Sequence, residues 1–220
     1  MALAVFCAAL AAGPSRADPF AQAMSDAAAG RHAQAAAGFH ALAQDGDAIA
    51  AHNLAVLFAL GQGVPRSKAE ASFWAMHAFL SGLDEAAPLA DLLLADLAVP
   101  DRTGLAQRLE ENLTPAAAAG SADAMLGLAI VVALIRPEPD LLAAHAWQDI
   151  AAALDAPGAA RARAETRARM SRDDLSRVEA HALEAFATWC AAAETGRPPS
   201  CGVMASMEAP PSPDMQAPGK

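Results

Sequence analysis

The chain contains no tyrosine, and aromatic residues make up only 5% of its 220 positions. Charged residues are also scarce, at 18%, while apolar residues reach 55% and alanine dominates. Strands are enriched in β-branched and aromatic residues, so this composition excludes a sheet protein. Alanine is the strongest helix former because ordering it costs no side-chain entropy. The composition therefore predicts an all-α fold, long enough for one domain with a substantial core.

Basic residues are few: Lys and Arg total 15 against 25 Asp and Glu, for a formal net charge of −10. A nucleic-acid-binding protein needs a basic footprint, and anionic lipid likewise attracts basic segments. The charge balance therefore predicts neither a nucleic-acid partner nor adhesion to anionic lipid.

Recognisable catalytic and metal-binding motifs are missing. The six histidines have no metal-ligand spacing, and the two cysteines near the carboxyl end lack the Cys-x-x-Cys spacing of a zinc site. No Gly-x-Ser-x-Gly, Ser-x-x-Lys, His-Glu-x-x-His or phosphate-loop motif occurs. We therefore expect no catalytic residue, no metal ion and no cofactor.

Residues 1–17 have the pattern of a signal peptide. An apolar run over 2–12 is followed by small residues at Ser15 and Ala17, the positions that a signal peptidase requires. The pattern predicts export with cleavage after Ala17. The run is too short to span a bilayer permanently, so we expect no stable membrane insertion. No Lys or Arg precedes the run, which leaves a frayed hydrophobic first helix as the alternative.

Cys190 and Cys201 are the two cysteines that remain after residues 1–17 are removed. An even number of cysteines in an exported chain indicates a disulfide, and the alternative is two unrelated thiols.

The chain resembles itself at an offset of 73 residues. Trp74 then falls on Trp147 and Leu113 on Phe186, although Ala90 falls on Arg163. Self-similarity at a fixed period is the mark of stacked repeats. We interpret 18–195 as one helical domain, made of two units of about 73 residues and an amino-terminal hairpin. Each unit is expected to contain two helical hairpins.

Capping residues, glycines and prolines predict where the helices begin and end. Ser171 and Asp174, for example, have the spacing of a capping box. The composition of 196–220, which is rich in Pro and Met, predicts a disordered tail. The predicted helices are 19–29, 33–44, 48–60, 67–80, 86–97, 101–113, 122–135, 140–154, 159–170 and 172–193.

One stretch of sequence resembles a known repeat. The motifs are Asn53-Leu54-Ala55, Gly61-Gln62-Gly63-Val64-Pro65, Glu70-Ala71 and Trp74. Together they resemble the Sel1-like repeat, a relative of the tetratricopeptide repeat. A weaker second copy has Leu126-Gly127 and Ala146-Trp147, and the resemblance covers about 33–189. It implies an α-solenoid of antiparallel helical hairpins that acts as an adaptor, in bacteria often in the periplasm, and it implies no catalytic residue.

Under this interpretation, five residues are expected to have structural roles. Gly61, Gly63 and Pro65 would end one helix and turn the chain, because glycine accepts positive φ and proline blocks continuation. Trp74 and Trp147 would fill the gaps between stacked hairpins.

Polar residues on otherwise apolar helices are the candidates for partner binding. The more specific interpretation places them on a concave face, and the alternative has them satisfy hydrogen bonds in the core or at its rim. The candidates are His52, Asn53, Gln62, His77, His145 and Gln148.

The sequence thus predicts a monomeric, periplasmic scaffold or regulator that holds a protein or peptide partner in a concave groove. Two alternatives from other classes stay open. One is a hydrolase of cell-wall material or antibiotic, because activity of that kind has been linked to some Sel1-like proteins. The other is a structural subunit of an envelope complex.

Overall fold

A computed structural model describes residues 18–193 and 197–203, and regular structure in these two ranges is helical, with no strand. The predicted all-α fold is confirmed. The proposed signal peptide, 1–17, lies outside the described residues. The α-helices are α1 (Pro19–Ala28), α2 (His32–Gln44), α3 (Ala48–Leu60), α4 (Lys68–Leu80), α5 (Ala87–Ala95), α6 (Val99–Ala118), α7 (Ala122–Ile130), α8 (Leu141–Ala153), α9 (Ala159–Ala168) and α10 (Arg172–Ala192).

Polar caps explain why half of the α-helices begin within one residue of the predicted position. The side chains of Asp47, Ser67, Ser121 and Asp140 each accept a hydrogen bond from the backbone N–H three residues further on. Such a bond satisfies an N–H that has no partner inside the helix. Ser171 forms the expected capping box with the third residue of α10.

Helix α6 is longer than predicted, because it continues through Pro115 to Ala118 instead of ending at residue 113. The Thr114 hydroxyl donates to the carbonyl of Glu110 at 2.6 Å. Ala117 is fully buried, and its carbonyl accepts a hydrogen bond from the indole N–H of Trp189 at 3.1 Å. The residue before a proline disfavours the helical conformation, so local sequence predicts that α6 ends before Pro115. Packing against α10 stabilises the additional turn.

Two blocks of four helices share one contact pattern. In the first block, α3–α6, helix α4 packs against the other three; in the second block, α7–α10, helix α8 does the same. Lys68 and Leu141, which begin these central helices, are 73 positions apart. Within 18–193, α5 and α6 do not approach each other closely, and neither do α9 and α10. The last two helices of each block thus pack on the central helix and do not form the expected second hairpin.

The two tryptophans that the 73-residue offset aligns differ in burial. Trp74 is buried among the rings of His40, Phe73 and His77, with centroids 5.0 to 5.8 Å away. Trp147 is only half-buried. The buried indole of the second block belongs to Trp189, which the sequence analysis did not select.

The turn after α3 contains two glycines in the left-handed conformation. Gly61 caps the helix in the left-handed conformation, with φ of 70°, and Gly63 has φ of 73°. The first residue of α2 lies directly against Gly63, since a Cβ there would stand 2.2 Å from the backbone carbon of His32. Pro65, which follows, is exposed.

Charged side chains replace this glycine turn in the second block. Helix α7 passes into a π-helical segment, Val131–Ile135, before the chain turns. The guanidinium of Arg102 donates to the carbonyls of Leu134 and Ile135 at 2.5 and 2.8 Å. Arg136 forms two 2.7 Å hydrogen bonds with Glu110. Side-chain donors therefore cap the carbonyls at this helix end.

The expected disulfide between Cys190 and Cys201 is present. It ties a helical turn over residues 200–203 to the end of α10, and Cys201 is buried. The predicted tail, 196–220, is therefore structured over 200–203. Residue 196 and the residues from 204 onward lie outside the described residues. No helix in 18–193 or 197–203 is long and apolar enough to cross a membrane.

Candidate functional site

A groove of about 750 Å³ runs between α9 and α10, with α8 as its floor. We call it the α9–α10 groove. Each helix contributes side chains at intervals of three or four residues, which place them on one face of that helix. The lining residues are His145, Asp149 and Ala153 of α8; Ala160, Arg163, Ala164 and Arg167 of α9; Glu179, Ala182, Leu183 and Phe186 of α10; and Ser200 and Val203 of the last turn.

The groove is open because its two walls rest on α8 without approaching each other closely. Alanine at positions 153, 160, 164 and 182 adds to the space, since a methyl group reaches only a short way from the backbone. On the floor, His145 and Ala153 are eight residues apart, which corresponds to about 12 Å along α8. The groove is thus long enough for several residues of an extended peptide.

The two ends of the groove differ in polarity. His145, Arg167 and Glu179 line one end, where a guanidinium nitrogen of Arg167 lies 3.9 Å from the Glu179 carboxylate. Phe186 and Val203 line the other end, next to the disulfide-held turn. A ligand that fits both ends must itself carry a charged part and an apolar part.

Asp149 is the centre of a charged cluster on the groove floor. One carboxylate oxygen lies 2.5 Å from a guanidinium nitrogen of Arg163, and the other lies 2.8 Å from Nδ1 of His145. The contact with His145 has the distance but not the alignment of a hydrogen bond. The His145 side chain is 6% exposed. Burial lowers the pKa of His145, Asp149 opposes this shift, and Arg163 and Arg167 add to it.

We expect acid to destabilise the fold through His145. The pKa of His145 is lowered in the folded chain, so the unfolded chain takes up the proton more readily as the pH falls below about 6.5. Below that pH, the free energy of unfolding should decrease as the pH decreases. Its limiting slope is about 1.4 kcal/mol per pH unit for one proton. Urea unfolding from pH 8 to 5 measures this slope.

The variant His145→Gln serves as the control for that measurement. It should flatten the slope, while His77, whose pKa is also lowered by burial, keeps its own contribution. An identical pH profile in His145→Gln would contradict the assignment.

The structure distributes the six candidate partner-binding residues over several environments. His145 lines the α9–α10 groove. Gln148 is buried and donates to the hydroxyl of Thr166 at 2.9 Å, which joins α8 to α9. His77 packs on Phe73 and Trp74, and the Asn53 amide donates to the carbonyl of Ile49 at 3.1 Å. His52 is half-buried and Gln62 is exposed in the glycine turn.

Sequence reasoning missed most of the groove. Asp149, Arg163, Arg167, Leu183 and Phe186 line it, and none of them was a candidate. One sequence feature points to Arg163: its mismatch with Ala90 at the 73-residue offset. It marks a place where the second block carries charge and the first does not.

Serine, histidine and aspartate all line the groove, but they are not arranged as a catalytic triad. Ser200 adjoins Cys201, whose disulfide holds it near Cys190. Cys190 is 11 residues beyond Glu179 on α10, which corresponds to about 16 Å. Because Glu179 lies with His145 at the charged end, the Ser200 hydroxyl belongs to the opposite end of the groove.

The part of the chain that the structure describes contains no cluster of three or more His, Cys, Asp or Glu side chains that could hold a metal ion. The chain matches no family model, and a search of the curated proteins finds no match to it.

Proposed function

We propose that this chain is a protein-binding adaptor that holds a segment of a partner protein in the α9–α10 groove. The observation that carries this proposal is the groove itself, which combines apolar walls with a charged end and is open to solvent along one side. Sites for small molecules typically bury about 70–90% of their ligand. An open groove suits a peptide segment, whose two ends can continue beyond it.

The repeated contact pattern supports a helical-repeat scaffold. Helices α4 and α8 each pack against three neighbours of their own block, and α6 packs against α7 to join the blocks. Repeat units of this kind bury their apolar faces against neighbouring units and leave extended surfaces for binding. We accordingly propose an α-solenoid of the Sel1-like type, for which the residues of the α3–α4 turn remain the sequence support.

We also propose where the chain acts and how it acts. The pattern of residues 1–17 supports export to the periplasm, and the disulfide of Cys190 and Cys201 suits an oxidising compartment. We propose that the chain works there as a monomer, by recognition and without a reaction of its own. His145 is the sequence candidate that we retain as a groove contact.

Site-specific photocrosslinking in the native host tests this function. A benzophenone amino acid at Leu183, which lines the groove and is 52% exposed, should capture a discrete partner protein that mass spectrometry identifies. The same group at Leu92, an exposed leucine of α5, serves as the matched control. Capture from Leu183 and not from Leu92 supports the proposal, whereas equal capture or no capture from Leu183 contradicts it.

A further inference from the structure

Helix α9 is basic in an otherwise acidic chain. It carries three arginines and one glutamate, and a fourth arginine, Arg169, follows its last residue, although the whole chain has a formal net charge of −10. Two of these arginines, Arg163 and Arg167, line the groove. A local surplus of positive charge attracts acidic groups and orients them during encounter.

The equivalent positions in the first block hold uncharged residues that are buried or half-buried. Seventy-three positions before His145, Asp149 and Arg163 stand Ser72, Met76 and Ala90, and all three are buried. The position equivalent to Arg167 holds Leu94, which packs against the first-block core. The second block therefore carries charged and ionisable side chains where the first block closes its core. Helix α5 packs on α4 in the same way as α9 packs on α8. Helix packing alone therefore does not explain why only the second block is charged here.

The two groove arginines differ in how firmly they are paired. Arg163 lies 2.5 Å from Asp149, a close ion pair on the groove floor. Arg167 is 3.9 Å from Glu179, whose side chain is 90% exposed, and Arg167 itself is 45% exposed. Exposed ion pairs contribute little to stability, so a ligand carboxylate can replace Glu179 at small cost. A carboxylate held by both nitrogens of a guanidinium makes a stronger, directional contact.

The distance between the charged and apolar ends sets the spacing within the ligand. Arg167 and Ala160 are seven residues apart on α9, which corresponds to about 10 Å. An extended peptide rises about 3.3 Å per residue, so about three residues span that distance. A hydrophobic side chain about three residues from a carboxylate would thus reach Leu183 and Phe186 while the carboxylate meets Arg167.

We propose that the partner segment is acidic, with one large hydrophobic side chain about three residues from a Glu or Asp. The carboxylate pairs with Arg167 and displaces Glu179, and the hydrophobic anchor covers Leu183 and Phe186. This rests on the proposed function and names the chemistry of the partner. Two copies of this chain would each carry a formal net charge of −10 and repel each other, so the open groove and the basic α9 favour a short acidic segment of another protein over a second copy.

Fluorescence anisotropy with three matched peptides of about 12 residues tests the proposal on the full chain. The first peptide has Glu and Leu at the stated spacing, the second has Lys in place of Glu, and the third has Ala in place of Leu. We expect the first peptide to bind at least about tenfold more tightly than either of the others. Equal binding of all three peptides would overturn this inference about the partner's chemistry. It would leave the proposed function to be decided by the photocrosslinking experiment.

Arg167→Glu is the test variant, and Arg161→Glu is its matched control. Arg161 lies on the same helix, but it is 85% exposed, pairs with Glu165 and does not line the groove. Arg167→Glu should weaken binding of the first peptide by about tenfold or more, and Arg161→Glu by about twofold or less. Equal losses would mean that general attraction to α9 binds the peptide, which would overturn the role of the groove.

Two further experiments test whether the groove binds a lipid surface or a second copy of this chain instead of a peptide. Phosphatidylglycerol vesicles that bind the chain more tightly than the first peptide would overturn the proposal in favour of a lipid surface. Dimerisation, measured by sedimentation, that Arg167→Glu abolishes and that prevents the first peptide from binding would overturn it in favour of a second copy.

Discussion

Replacing Trp74 with alanine should cost about 3–5 kcal/mol of folding free energy, the usual range for a buried tryptophan. The indole is buried in the first-block core, between the rings of His40 on α2 and of Phe73 and His77 on α4. Its loss leaves a cavity where α2 and α4 meet, and the surrounding helices can close it only in part. Thermal and urea unfolding of the variant measure this cost.

Trp147→Ala is the internal comparison for that prediction. Trp147 has the same register in the second block, but it is only half-buried, so its removal should cost clearly less than that of Trp74. Removal of the exposed Leu60 side chain should change stability by less than about 0.5 kcal/mol. If Trp147→Ala cost as much as Trp74→Ala, the described difference in burial would be wrong.

Gly63→Ala should have an effect of similar size for a different reason. The backbone there has φ of 73°, which costs a non-glycine residue about 1–2 kcal/mol. In addition, the new Cβ would stand 2.2 Å from the backbone carbon of His32, so the start of α2 must move. Overpacking of this kind adds about 1–3 kcal/mol, and we expect a total of about 2–5 kcal/mol from urea unfolding.

Gly82→Ala separates the two causes. Gly82 also has a positive φ, of 92°, but a Cβ there would meet nothing within 4 Å. This variant should therefore show only the cost of the left-handed conformation, about 1–2 kcal/mol. Equal losses for the two variants would show that the turn does not press against α2.

The sequence predicts the helices well because the groups that begin and end them are local. Asp47, Ser67 and Ser121 cap helices within three residues of themselves, and Gly61 ends α3 without help from elsewhere. Helix α6 departs from its predicted bounds because distant residues hold its last turn. The indole of Trp189 that meets Ala117 lies 72 residues away in the sequence, beyond the reach of any local pattern.

The groove was not predicted, because it depends on how two helices, α9 and α10, are placed on α8. A search for polar residues on apolar helices selects His145 and Gln148, but it does not separate a groove side chain from one buried between α8 and α9. Leu183 and Phe186 carry no polar group, so such a search passes over them. The two blocks could have been compared position by position in charge, and that comparison marks Arg163 and Arg167 from sequence alone.

Alanine-methyl NMR on the full chain tests the central claim most directly, because the groove is lined by alanines. Methyl groups of Ala153, Ala160, Ala164 and Ala182 report on the groove, and those of Ala51 and Ala55 report on the first-block core. When the partner captured through Leu183 is added, we predict shifts of the groove methyls and little change at Ala51 and Ala55. Shifts confined to the first block, with the groove methyls unmoved, would contradict binding at this groove.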